Sequence, residues 1–138
     1  MSSTIILISH GEMAKGVASS AQMITGTVES LYYFGLYPGE HPSEIMDGII
    51  QILEQEPNEQ LIIIGDLFGG SVCNAATELK KQYETIHLIY GMNLPLVIEV
   101  ILNKDNITED ILKHCIENSR KGLRVFEDVK SGNEDPFF

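Results

Sequence analysis

The chain has 138 residues, of which 43% are hydrophobic, and this is enough for one domain with a single core. Its formal net charge of -11 at pH 7 argues against nucleic acids and anionic membranes as partners, and favours a protein with a basic face. No apolar run approaches the roughly 20 residues of a membrane span, and the first residues lack the basic start of a signal peptide. We therefore expect a cytoplasmic protein.

The first half of the sequence predicts two strand and helix units. Residues 4–8 are an apolar run that ends at residues 9–11, Ser-His-Gly, and apolar residues then recur at helical spacing as far as Ile24. Residues 31–35 predict a second strand, and Ser43 is a candidate cap for a second helix. Strand and helix therefore alternate from the start of the chain.

The second half continues the alternation. Residues 61–65 predict a third strand, which leads through a Gly-Gly turn to a helix at about residues 71–83. Residues 86–90 predict a fourth strand, and an apolar stretch follows at residues 96–102. Thr108 then begins a last helix, because it is a capping residue followed by two acids.

The C-terminal part of the chain predicts a short final strand at residues 123–126 and a loose tail at residues 131–138. Residues 1–130 are then one domain. Apolar strands that alternate with helices are typical of a parallel sheet that is covered by helices on both faces. We therefore predict an open α/β fold with a mostly parallel sheet in the order 2-1-3-4.

Polar residues that could carry chemistry follow the first and third strands. In open parallel sheets, ligands bind beyond the carboxyl ends of the strands, where neighbouring connections leave on opposite faces. With the order 2-1-3-4, His10 and Asp66 would lie side by side at this point. The Asp66 carboxylate would then hold the Nδ1 proton of His10 and leave Nε2 as a nucleophile. Gly69 and Gly70 would let the backbone approach an anion, and Ser71 begins a helix whose free N–H groups favour one.

Each of these residues also has a plainer interpretation. His10 could be a turn residue, Asp66 could cap its own loop, and a Gly-Gly-Ser turn often precedes a helix. The remaining histidines, His41, His87 and His114, lie in turn, strand and helix patterns, so we interpret them as structural. No two of them have metal-ligand spacing and the sequence has no P-loop, so we expect neither a metal nor a cofactor.

Three segments together resemble one known family. Residues 6–16 read ILISHGEMAKG, residues 65–76 read GDLFGGSVCNAA, and residues 91–99 read GMNLPLVIE. In combination they resemble the enzyme IIA component of the mannose family of the bacterial sugar phosphotransferase system (PTS). The resemblance covers roughly residues 3–128. It implies a phosphoryl carrier that works during sugar uptake.

The resemblance also implies roles for individual residues and partners. His10 would become a phosphohistidine, Asp66 would be its partner, and Ser71 with the neighbouring amides would lie near the phosphate. The phosphoryl donor would be the small histidine phosphocarrier HPr, and the acceptor would be a IIB component that feeds a membrane permease. Members of the family are homodimers, which implies a homodimer in which residues 123–126 cross to the partner subunit.

Two positions depart from the family pattern. Leu67 stands where members often carry a hydroxyl residue, and Val72 stands where they often carry a proline, so a hydrogen bond from that hydroxyl is not expected here. The chain also ends without a linker to a IIB domain, which favours a free-standing subunit.

Three alternatives remain open at this point. The phosphocarrier subunit that serves dihydroxyacetone kinase shares the strand-Ser-His start, although the DLFGGS loop favours the sugar-uptake branch. A regulatory α/β binding domain would leave His10 unmodified. A hydrolase could use His10, Asp66 and Ser71 as a triad, but Ser71 lacks the G-x-S-x-G elbow that exposes such a nucleophile.

Overall fold

The computed structural model describes residues 2–57 and 59–128. Within these ranges, strands and helices alternate until β4, after which two helices follow. The bounds are β1 Ser3–His10, α1 Met13–Thr25, β2 Leu31–Leu36, α2 Pro42–Gln55, β3 Gln60–Gly65, α3 Ser71–Gln82, β4 Ile86–Tyr90, α4 Leu94–Leu102 and α5 Glu109–Arg120. None of these helices is long and apolar enough to cross a bilayer.

The strands form one parallel sheet in the order β2-β1-β3-β4, which confirms the predicted fold class and order. Strand β1 lies between β2 and β3, so Ile8 is opposite Phe34 on one side and Gly65 on the other. The chain moves outward from β1 to β2 and then returns to β3 through α2. The direction of winding therefore reverses between β1 and β3, which makes this the topological switch point of the sheet.

Side chains alternate between the two faces of the sheet along each strand. Helices cover both faces, so both sets of side chains on the central strand β1 are buried. On one face of β1, Ile5 and Leu7 pack against α1, α4 and α5, and on the other, Ile6 and Ile8 pack against α2 and α3. All four side chains are fully buried. Burial of each such side chain contributes about 1.5–3 kcal/mol to the stability of the fold. Helices α1 and α3 consequently leave the sheet on opposite faces.

Side-chain caps mark the starts of α2 and α5. Thr108 caps α5 as predicted, because its Oγ1 accepts the Ile111 N–H at 3.1 Å. For α2, the predicted cap Ser43 is wrong by two residues, and His41 is the cap, its Nδ1 accepting the Ser43 N–H at 3.1 Å. The reason is Pro42, whose fixed φ and missing N–H suit the first helical position. The helix therefore begins one residue before Ser43, at Pro42.

Residues 123–126 do not form the predicted final strand in the single chain. Leu123, Val125 and Phe126 are at least 86% exposed, and the four-stranded sheet does not include them. A strand needs a neighbouring strand that pairs its backbone groups, whereas here the Leu123 N–H donates to the Arg120 carbonyl at 3.2 Å, a contact with the end of α5. The predicted tail at residues 131–138 lies outside the described residues.

Candidate active site

His10 and Asp66 lie next to one another at the carboxyl ends of the two central strands. His10 is the last residue of β1, opposite Leu36 of β2. Asp66 follows Gly65, the last residue of β3, which lies opposite Ile8. Because β1 and β3 are parallel neighbours, both side chains come out at the same edge of the sheet. This edge is the switch point, where open α/β sheets bind their ligands.

One carboxylate oxygen of Asp66 makes two contacts with His10, one to its backbone and one to its ring. Asp66 Oδ2 accepts the backbone N–H of His10 at 2.9 Å and lies 2.8 Å from the ring Nδ1. The other oxygen, Oδ1, accepts the backbone N–H of Leu67 at 3.0 Å. The Asp66 side chain is 6% exposed and the His10 side chain is 46% exposed. The carboxylate is therefore buried and fixed, while the outer edge of the imidazole faces solvent.

The charge of Asp66 determines which ring nitrogen of His10 carries the proton. Burial raises the pKa of the Asp66 carboxyl. This effect is outweighed by hydrogen bonds from the His10 backbone and ring, by the charge interaction with His10 and by the hydrogen bond from the Leu67 N–H. The pKa is therefore lowered below its ordinary value. An ionised carboxylate can only accept hydrogen bonds, so Nδ1 must donate. Nε2 then keeps its lone pair at the exposed edge of the ring.

The first turn of α3 lies beside the imidazole. Its N-cap is Gly70, which has no side chain to cap the first N–H groups of the helix, so these groups can bind an anion. A Cβ atom at Gly70 would lie 3.2 Å from His10 Cε1, so the glycine leaves space for the ring. Gly69 has a φ of +84°, which glycine adopts without strain. Ser71 is exposed and is the first residue of the helix.

Backbone contacts on two sides hold the loop that carries His10. Ser9 is fully buried, and its Oγ accepts the backbone N–H of Ala14 at 2.8 Å, which ties the end of β1 to the start of α1. On the other side, Gly35 of β2 packs so closely that an added Cβ would collide with the carbonyl oxygen of Gly11. The position of the imidazole is therefore set by the strands and not by a free loop.

Four side chains that the sequence analysis did not single out lie in or beside the loop after β3. The Phe68 ring packs edge-on against Tyr90, with ring centroids 5.1 Å apart. The Tyr90 hydroxyl is hydrogen-bonded to Thr77, whose hydroxyl donates to the Cys73 carbonyl at 2.9 Å. Cys73 is fully buried, with its Sγ 4.0 Å from Asp66 Oδ1. The sequence could have identified Phe68 as an exposed aromatic residue of the site. A short loop that ends in two glycines has little room to bury an aromatic ring.

The contacts of Ser71 do not support the hydrolase alternative. The Ser71 hydroxyl makes no hydrogen bond to His10 within residues 2–57 and 59–128, so a histidine-activated serine is not present. His87 and His114 lie in β4 and α5, as their patterns predicted. Among the described residues, no group of three or more His, Cys, Asp or Glu side chains is placed to hold a metal ion.

Comparison with known proteins identifies relatives along most of the chain. Residues 4–132 match the family EIIA-man, described as PTS system fructose IIA component. The PTS system sorbose-specific EIIA component of Lacticaseibacillus casei is 32% identical over 114 residues, which cover 82% of this chain and 83% of that protein. The PTS system mannose-specific EIIAB component of Escherichia coli K12 is 23% identical over 130 residues, which cover 92% of this chain and 40% of that protein.

A solved structure shares the same fold. The PTS IIA protein associated with the fucose utilization operon of Streptococcus pneumoniae has a TM-score of 0.79 and 26% identity, over 91% of this chain and 96% of that chain. The family match, the relatives and the shared fold all point to the same component of the same transport system. The chain therefore belongs to the EIIA-man family of PTS enzyme IIA components, which carry phosphoryl groups during sugar uptake.

Proposed function

We propose that this protein carries a phosphoryl group on His10 Nε2, accepting it from phosphorylated HPr and passing it to a IIB component in the cytoplasm. The observation that carries the proposal is the 2.8 Å contact between His10 Nδ1 and the buried carboxylate of Asp66. It leaves one exposed ring nitrogen with a lone pair and places a negative charge behind the ring. Membership of the PTS IIA family supports the relay role, and the site supplies a suitable nucleophile.

The transfer requires one bond to break and one bond to form. The N–P bond of the donor phosphohistidine breaks while His10 Nε2 bonds to the same phosphorus from the opposite side. The phosphoryl oxygens can accept hydrogen bonds from the N–H groups at the start of α3, beside Gly70 and Ser71. Asp66 stabilises the positive charge that the imidazole gains. The reaction therefore depends on positioning a loose, in-line transition state, with no proton transfer to a general base.

A two-step relay with purified proteins tests the proposal. Labelled phospho-HPr, freed of ATP and magnesium, is mixed with this protein, and the label is then chased with a purified IIB component. We expect label that is lost in acid and kept in base, as an N–P bond requires, and that moves on to IIB. An acid-stable adduct, or a transfer that needs ATP or magnesium, would contradict the mechanism.

We further propose a homodimer in which each copy lends residues 123–126 to the sheet of the other. Strand β4 is an edge strand, and a groove of about 390 Å³ runs along it between α3 and α5. Leu88, Leu112 and Ile116 line this groove. The segment 123–126 is exposed in the single chain although it is largely apolar. An edge that can accept a strand and an apolar segment that can supply one support the exchange.

Val125→Asp should convert this dimer to a monomer, because the exchange would replace an apolar side chain with a carboxylate that must lose its water next to Leu88, Leu112 and Ile116. Sedimentation velocity should give twice the chain mass for the wild type and the single chain mass for the variant. Leu102→Asp is a matched control, since Leu102 is 70% exposed at the end of α4 and does not line the groove. A monomeric wild type, or a dimeric Val125→Asp variant, would refute the exchange.

A further inference from the structure

Three large exposed hydrophobic side chains lie at the edge of the sheet that carries His10. Met13 is 42% exposed, Leu67 is 48% exposed and Phe68 is 80% exposed. Met13 begins α1 three residues after His10, and the other two directly follow Asp66. Single exposed hydrophobic residues are ordinary on a protein surface, but a group of them around a reactive atom indicates a contact surface. We call Met13, Leu67 and Phe68 the apolar rim.

The most exposed residue of the apolar rim is also held in place. The Phe68 ring packs against Tyr90 at an interplanar angle of 89°, and Tyr90 is hydrogen-bonded to Thr77 of α3. Leu67 and the imidazole lie on either side of Gly70, since a Cβ at Gly70 would be 3.4 Å from Leu67 Cγ and 3.2 Å from His10 Cε1. A ring that is ordered before binding loses little conformational entropy when a partner covers it.

Acidic side chains lie on the opposite side of His10, next to β2. The Tyr37 hydroxyl lies near Glu12, and the Tyr37 backbone N–H donates to a Glu40 carboxylate oxygen at 2.8 Å. Both glutamates are exposed. The face around His10 Nε2 is therefore apolar toward β3 and β4 and negatively charged toward β2. A partner that fits this face has an apolar centre flanked by basic side chains.

We propose that Phe68 is the main docking residue for the phosphoryl-donor protein, which covers the apolar rim with an apolar surface and faces Glu12 and Glu40 with basic side chains. The inference rests on the proposed function, because the donor must bring its phosphoryl group to His10 Nε2. The net charge of -11 on this chain favours a partner that brings basic side chains to this face. The rim also lies at the same edge of the sheet as the transfer atom, where the donor has to be held.

The test measures initial rates of His10 labelling against the concentration of purified phospho-HPr. Phe68→Ala should raise KM roughly ten-fold or more and leave the maximal rate nearly unchanged, because losing an aromatic anchor weakens binding without touching the reacting atoms. Phe68→Leu keeps an apolar contact and should recover part of the affinity. Leu102→Ala removes another largely exposed hydrophobic side chain, 70% against 80% for Phe68, at the end of α4 and should behave as the wild type.

An NMR titration of the His10 ring separates docking from support of the loop. We expect the same titration curve in the wild type and in Phe68→Ala. An unchanged KM would overturn the docking role and leave the proposed function intact. A lower maximal rate together with an altered titration would show that Phe68 only supports the loop, which also overturns the inference. A wild-type protein that phospho-HPr does not label would overturn both.

Discussion

The His10→Ala variant is expected to take up no label from phospho-HPr while folding as the wild type does. Alanine offers no nitrogen to phosphorus, so the loss should be complete and not partial. The fold should tolerate the change because the ring lies at the exposed end of β1, outside both apolar cores. Asp66 also keeps the backbone N–H donors of residue 10 and Leu67 when the ring is removed.

His114→Ala is the matched control for this experiment. His114 is an exposed histidine on α5, and its replacement should leave labelling at the wild-type level. Melting curves verify that both variants are folded, and mass spectrometry locates the modified residue. If His10→Ala retains the label, the nucleophile is another residue and the proposed function has to be revised.

The fold could be predicted because each element carries its own local signal. Residues 4–8 and 61–65 are apolar at consecutive positions, and a strand of that kind is stable only when helices cover both faces of its sheet. The start of α2 shows where such reasoning stops, since Ser43 has the composition of a cap but Pro42 decides where the helix begins. Residues 123–126 show a second limit, because a strand depends on a partner that a single chain does not have to provide.

The central pair of the site could be predicted for a related reason. His10 and Asp66 each follow a strand, and the carboxyl ends of parallel strands meet at one edge. The supporting contacts could not be predicted, because they follow no recognisable sequence spacing. The contact between Phe68 and Tyr90 links the loops after β3 and β4, and Ser9 ties β1 to α1 from a position five residues before Ala14.

Leu67 illustrates how the backbone can compensate for a missing side chain. The resemblance implied that a hydroxyl residue often follows the aspartate, and leucine cannot donate a hydrogen bond from its side chain. In this chain the backbone N–H of Leu67 donates to Asp66 Oδ1 at 3.0 Å. Both oxygens of the carboxylate are therefore held by donors, and the leucine side chain remains available to the apolar rim.

The Asp66→Asn variant is expected to lose transfer rate by a factor on the order of 10²–10⁴, by analogy with the orienting aspartate of serine proteases. The geometry gives the reason. Donors from the His10 backbone, the His10 ring and the Leu67 backbone all point at the carboxylate. An asparagine has one acceptor oxygen, so in either orientation its NH₂ group meets at least one of these N–H groups. Where it meets the His10 side, it favours the tautomer with the proton on Nε2, which removes the nucleophilic lone pair.

The same variant removes the charge that stabilises a phosphorylated imidazole, so the equilibrium of transfer should shift together with the rate. A residue that only capped its loop would change stability and leave both quantities intact. Asp47→Asn is the matched control, since Asp47 is an exposed carboxylate of α2 and its replacement removes one charge far from the ring. Time-resolved transfer from phospho-HPr and back to HPr measures the rate and the equilibrium in each variant.

Acid pH gives an independent measurement on the same pair. The lowered pKa of Asp66 means that its hydrogen bonds stabilise the fold at pH values above the ordinary carboxyl pKa of about 3.9, and that this contribution is lost as the pH falls through the folded-state pKa. The difference in melting temperature between wild type and Asp66→Asn should therefore shrink on acidification. A folded Asp66→Asn protein with near-normal transfer in both directions, and a melting difference that does not depend on pH, would show that another group orients His10.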